Sequence, residues 1–103
     1  MAHKRINDKG VRKEQILSAA LKLAESIGYT HVSRDKVAAL IECAPGTITH
    51  SFGTMPQFRR ALMRYAIAKG SLVVLAQGLA AKDTHAQKAP IDLRKKALAS
   101  LAA

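Results

Sequence analysis

The sequence predicts an all-α chain, and three observations carry that prediction. Apolar residues recur at spacings of three and four, as in Ile16, Ala20, Leu23 and Ile27, with Leu17, Leu21 and Ala24 widening the stripe. Helix punctuation recurs at intervals suited to short helices: Gly28, Ser33, Pro45 and Thr54. Composition agrees, with 49% hydrophobic residues, mostly Ala, Leu, Ile and Val, 4% aromatics and no Trp. Such residues suit small helices packed closely. At 103 residues the chain has room for one small core.

Each element follows from local chemistry. Residues 1–10 are polar and basic, with Lys4, Arg5 and Lys9, and read as an arm. A first helix is expected over 11–27, stopped by Gly28. Tyr29 and Val32 are expected to cover the core across a short link. Ser33 is placed to N-cap a second helix, and Asp35 suits its positive end. Val37, Ala38, Leu40 and Ile41 are its expected inner face, and it is expected to end near Glu42. Pro45 opens a third helix, where its missing N–H costs nothing, and Ile48 and Phe52 are its anchors. Thr54 and Gln57 match a capping box for a fourth helix, with Phe58, Leu62 and Tyr65 on one face. Gly70 marks an interruption or a close approach. An apolar run, Leu72 to Leu75, follows; residues 82–89 read as a linker; Pro90 starts a last short helix with Ile91, Leu98 and Leu101 on a shared face.

The formal charge is +10, from 17 Lys plus Arg against 7 Asp plus Glu. It favours a polyanionic partner, and nucleic acid first among these. Cys43 is the only cysteine, which rules out an intrachain disulfide, and the four histidines are scattered without helical pairing, so no metal site is expected. Neither a signal core nor a membrane-length apolar run occurs, and a cytoplasmic, nucleoid-associated protein is expected. Acidic residues are few, and there is no nucleophile–base set or glycine-rich phosphate loop, so neither an enzyme nor a cofactor is expected.

The third helix is the anomaly. In CAPGTITHSFGT, residues 43–54, Pro45 and Gly46 disfavour helix, and Thr47, Ile48 and Thr49 are β-branched. A helix joined to its predecessor by about three residues has the spacing of a helix-turn-helix. In that motif short side chains let the second helix approach base edges in a groove about 12 Å wide. Gly46, Thr47 and Ser51 are short, and Thr49 and His50 offer groups for bases or phosphates. An ordinary helical hairpin with a polar turn has the same spacing and is the plain alternative.

The run VAALIECAPGTITHSF, residues 37–52, resembles the helix-turn-helix signature of the TetR family of bacterial transcriptional regulators. Val37 and Ala38 match its opening pair, and Gly46, Thr47, Ile48 and Phe52 match its core in register. Residues 16–33, ILSAALKLAESIGYTHVS, resemble the family's first helix and following link, so the resemblance covers about residues 12–65. It implies a three-helix DNA-binding domain over 11–68, with a longer fourth helix, followed by a C-terminal helical segment over 69–103. It implies that Pro45, Thr47 and His50 face bases and that Thr49 and Ser51 lie beside the backbone. Ser33 and Arg34 would contact phosphate at the start of the second helix, and Lys4, Arg5, Lys9 and Arg12 would reach an adjacent groove or the backbone.

Four residues depart from the family pattern. Glu42 stands where a turn glycine is usual, and a left-handed Glu is strained, so a rebuilt turn is expected. Ala44 replaces a capping Ser, Thr49 a phosphate-touching Tyr, and Met55 a common Lys; the lost charge falls to the N-terminal arm or to Arg59 and Arg60. Family members are about twice as long, with a second domain that binds an inducer. About 35 residues follow the fourth-helix core here, too few to enclose a pocket of ~300–1,000 Å³, so no small-molecule inducer is expected. The apolar segment Leu72 to Leu79 and the face of Ile91, Leu98 and Leu101 would be covered by homodimerisation on a palindromic double-stranded DNA site, or by folding back on their own subunit. The expected function is a sequence-specific transcriptional regulator, a repressor. The alternatives are a protein-binding module and a non-specific DNA-packaging protein.

Overall fold

The computed structural model describes residues 8–102 and is all-helical over them. Helix α1 spans Asp8–Ile27, α2 Arg34–Leu40, α3 Pro45–Phe52, α4 Met55–Lys69, α5 Leu72–Ala80, α6 Thr84–Gln87 and α7 Ile91–Ala102, with a 3-10 turn at Tyr29–His31. Helix α1 therefore starts three residues before the expected Val11, inside the stretch read as an arm; Arg5 lies outside the described residues. No helix among the described residues is long and apolar enough to cross a membrane.

Local chemistry sets most helix starts. The Ser33 hydroxyl accepts from the Lys36 N–H at 3.2 Å and caps α2. At α4 the Gln57 side chain accepts from the Thr54 N–H at 2.8 Å, and the Thr54 hydroxyl accepts from the Gln57 N–H at 3.4 Å, closing the capping box. Helix α3 alone among these starts on a residue without a side-chain cap, Ala44, followed by Pro45.

Three helices stop in one way. After α2, α4 and α5 a residue with positive φ turns the chain, and the next N–H reaches back five residues. Cys43 donates to the Ala38 carbonyl at 3.0 Å, Ser71 to Ala66 at 2.8 Å and Asp83 to Gly78 at 2.8 Å. The turning residues are Glu42 (φ 55°), Gly70 (φ 72°) and Lys82 (φ 60°). The turn at Glu42 is thus not rebuilt: Glu accepts the left-handed conformation because the backbone bond from Cys43 and the packing of α2 and α3 impose it.

One hydrophobic cluster joins all seven helices, from Ile16, Ala20 and Ala24 through Val37, Ala38, Ile48, Phe58, Leu62, Met63 and Ala66 to Val74, Leu75, Ala76, Ala86 and Ala97. Tyr29 and Val32 cover it as expected. Leu40 does not join it and is 56% exposed, because the helical period carries it to one side of the arc that Val37, Ala38 and Ile41 turn inward. Residues 82–89 are not a plain linker: Asp83 accepts from the His85 and Ala86 N–H groups and caps α6, which buries Ala86.

Within the C-terminal segment α5 packs on its own subunit, against α1, α4, α6 and α7. Val74, Leu75 and Ala76 are buried there, so most of the Leu72–Leu79 run needs no second copy. In α7 the inner positions belong to Ala97 and Leu93, while Ile91 and Leu98 are exposed; the side chain of Leu101 lies outside the described residues.

Candidate nucleic-acid interface

Helix α3 is held at two points. Ile48 is fully buried, and Phe52 stacks obliquely on Phe58 of α4 with ring centroids 5.2 Å apart. The Lys13 ammonium lies 5.9 Å from the Phe52 ring centroid, pinning α1 to the same point. These contacts replace the helix propensity that Pro45, Gly46 and the β-branched residues lack. The opposite face is left outward: Pro45, Gly46, Thr49 and His50 are exposed, whereas Thr47 and Ser51 are half-buried on the flank. Helical periodicity explains the split, because Gly46 and His50 lie one turn apart and opposite the Ile48–Phe52 side.

The turn between α2 and α3 has four residues, Ile41 to Ala44, against the three expected. Cys43 within it is half-buried. Where α2, α3 and α4 meet, an open groove of about 400 Å³ is lined by Ser33, Arg34, Asp35, Pro45, Gly46, Thr49, Met55 and Arg59. Inside it Arg34 Nη1 donates to Thr49 Oγ1 at 2.7 Å. This bond ties the start of α2 to the middle of α3 and fixes a guanidinium beside the exposed edge. The space next to the Gly46 Cα is open, with nothing within 4 Å of where a Cβ would stand.

The expected site residues therefore divide. Ser33, Arg34, Pro45, Gly46 and Thr49 converge on this groove, with His50 on the adjoining outward edge and Thr47 and Ser51 on the other flank. Arg12 is apart from them, in a second groove of about 1140 Å³ between α1 and the end of α2, with Val11, Glu14, Lys22, Leu40 and Ile41. Arg59 joins the first cluster from α4. The sequence offers it, with Arg60, as a substitute for the charge missing at Met55 but does not set it beside α2, because that approach depends on how α4 packs.

No family model, curated protein or solved structure matches the chain. The resemblance to TetR regulators rests on its residues alone.

The electrostatics are one-sided. Among the described residues the single ion pair joins Lys69 to Glu14 at 3.8 Å, although the sequence carries 17 Lys and Arg. The cations of the α2–α3–α4 groove are thus not neutralised by an ion pair. Among the described residues no group of three or more His, Cys, Asp or Glu side chains is placed to hold a metal ion.

Proposed function

We propose that this chain is a sequence-specific double-stranded DNA-binding regulator of transcription, a repressor acting as a homodimer on a palindromic operator, with a TetR-like helix-turn-helix formed by α2 and α3. One observation carries the reading: α3 is a poor helix by composition, yet it is anchored through Ile48 and Phe52 and turns a slim edge of Gly46, Thr49 and His50 outward beside Arg34. Short side chains on an outward edge cost helix stability and add nothing to the core. They are useful where the backbone must come close to another surface, as in the major groove.

In this reading His50 and Thr47, with Pro45 at the helix start, read base edges. Ser33, Arg34, Thr49 and Ser51 fix the register on phosphates, and Arg12 contacts the backbone further out. A dimer presents two α3 helices to half-sites about one helical turn apart, roughly 34 Å. Selection of bound sequences from a random DNA pool tests this directly. An enriched inverted repeat with that spacing is expected. Retention of all sequences alike, with steep salt dependence, would instead mark a packaging protein.

A second reading has one observation in its favour. The α1–α2 groove exposes Val11 and Leu40 at 53% and 56%, an apolar surface of the kind a protein partner covers. A protein-binding module would show no sequence enrichment and would lose its partner on Leu40→Lys.

A further inference from the structure

We propose that the groove between α1 and the end of α2 docks an acidic amphipathic helix of a protein partner; this rests on the protein-binding reading above and needs no DNA contact by α3. The groove holds about 1140 Å³ and follows α1 from Gly10 to Lys22. That exceeds the ~300–1,000 Å³ of small-molecule sites. Val11, Gln15, Ser18 and Lys22 recur at steps of four, three and four, so one face of α1 forms a wall. The wall is about 16 Å long, or roughly three helical turns. Leu40 and Ile41 of α2 form the other side. Ser18 and Ala19, midway along, are small, so another backbone can come close there.

Two properties of this surface narrow its occupant. Val11 and Leu40 are exposed and Ile41 is half-buried, so a partner with apolar side chains is needed to take them from water. The charges of the lining are Arg12, Lys22 and Glu14. Glu14 is engaged on the α4 side: its Oε1 accepts from the Tyr65 hydroxyl at 2.7 Å and lies 3.8 Å from the Lys69 ammonium. Among the described residues neither Arg12 nor Lys22 forms an ion pair. An apolar strip with a cation toward each end is complementary to a helix with apolar residues at i, i+3, i+4 and i+7 and Asp or Glu beside them.

Charge disfavours the occupants nearest to hand. The exposed side of α7 offers Ile91 and Leu98, but its charges over 91–98 are Asp92 against Arg94, Lys95 and Lys96. Residues 1–7 carry Lys4 and Arg5. Either segment would bring like charge to Arg12 and Lys22. A DNA duplex brings negative charge but leaves Val11 and Leu40 in water.

The test titrates the full chain with three labelled helical peptides: one with Leu at i, i+3, i+4 and i+7 and Glu between, one with Lys in place of every Glu, and one with the acidic composition scrambled. No DNA is present, so the result does not depend on what α3 binds. The acidic amphipathic peptide is expected to bind more tightly than the other two and to shift the amide resonances of Val11, Ala19, Leu40 and Ile41. Leu40→Ser is expected to weaken it roughly tenfold, about the cost of one lost Leu contact. Lys22→Glu is expected to move the preference towards the Lys peptide. Both variants alter exposed residues, and an unchanged circular dichroism spectrum checks their fold. Equal binding of the scrambled peptide would mark general attraction to a chain of charge +10 and overturn the proposal, as would amide shifts confined to α3 or α7. Preference of the native chain for the Lys peptide, still lost in Leu40→Ser, would overturn the acidic occupant and leave the protein-binding reading standing. Binding of anionic phosphatidylglycerol vesicles that Leu40→Ser abolishes, with no response to any peptide, would assign the groove to a lipid surface and remove both.

Discussion

Glu42 and Lys82 hold left-handed backbone, with φ 55° and 60°, at helix ends where glycine is the usual residue. A Cβ in that region costs about 1–2 kcal/mol, partly offset by the greater freedom glycine has in the unfolded chain. Glu42→Gly and Lys82→Gly are each expected to stabilise the protein by about 0.5–1 kcal/mol, read as a higher denaturation midpoint. Gly78 is the opposite case: an added Cβ would collide with Met63 Cε and Ala86 Cβ. Gly78→Ala is expected to cost about 1–3 kcal/mol by overpacking. The two tyrosines give a titration signal. Burial raises the Tyr29 phenol above its ordinary value of 10.0, reinforced by the Asp83 charge and the hydrogen bond to it. Burial likewise raises Tyr65, with its hydrogen bond to Glu14 at 2.7 Å next in effect. In both the folded state keeps the proton that the unfolded chain releases near pH 10. Their contribution is intact below that pH and is lost as pH rises through the higher folded-state values. Tyrosinate absorbance should therefore rise above pH 10, and Tyr29→Phe should flatten the alkaline fall in stability.

Among the helices, what was legible in the sequence is what local chemistry decides. Ser33, the Thr54–Gln57 box and Pro45 act within a few residues of themselves, so their roles are readable without the fold. The same holds for the core stripe of α1, where Ile16, Ala20 and Ala24 are buried as the period requires. Features set by packing were not legible. In α7 the small residue Ala97, not Leu98 or Ile91, faces the close neighbour α5, and a reading weighted by hydrophobic size looks past Ala. The stops after α2 and α5 carry no glycine, so the sequence alone suggests a rebuilt turn at one and a linker at the other. The convergence of Ser33, Arg34, Pro45, Gly46 and Thr49 followed from motif spacing, whereas Arg59 entered through the angle of α4. The missing cap of α3 gives a prediction at this scale. Ala44→Ser would supply an acceptor for a free N–H and is expected to stabilise α3 by about 1 kcal/mol, seen as slower amide exchange in Thr47 to Phe52 than elsewhere.

For the molecule as a whole, the question is what remains uncovered once the core is closed. Ile91 and Leu98 are exposed at 58% and 53% and lie seven residues apart, two turns along one side of α7. The proposed homodimer is expected to use this side. Sedimentation should give a dimer for the native chain and a monomer for Ile91→Lys with Leu98→Lys, with affinity falling more on a full inverted repeat than on a half-site. Beside the shared core, hydrogen bonds join α1 and its following turn to the C-terminal helices, and Gln77 makes two of them. Gln77 of α5 accepts from the Tyr29 N–H at 2.8 Å and donates to the Ala24 carbonyl at 3.1 Å, while the Tyr29 hydroxyl donates to Asp83 at 3.4 Å. Gln77 thereby splices the last turn of α1 to the link that launches α2. The first four helices are consequently not a portable cassette: cut free after Lys69, they would lose that splice, strip the cover from Met63 and Ala66, and leave the approach angle of α2 without its brace.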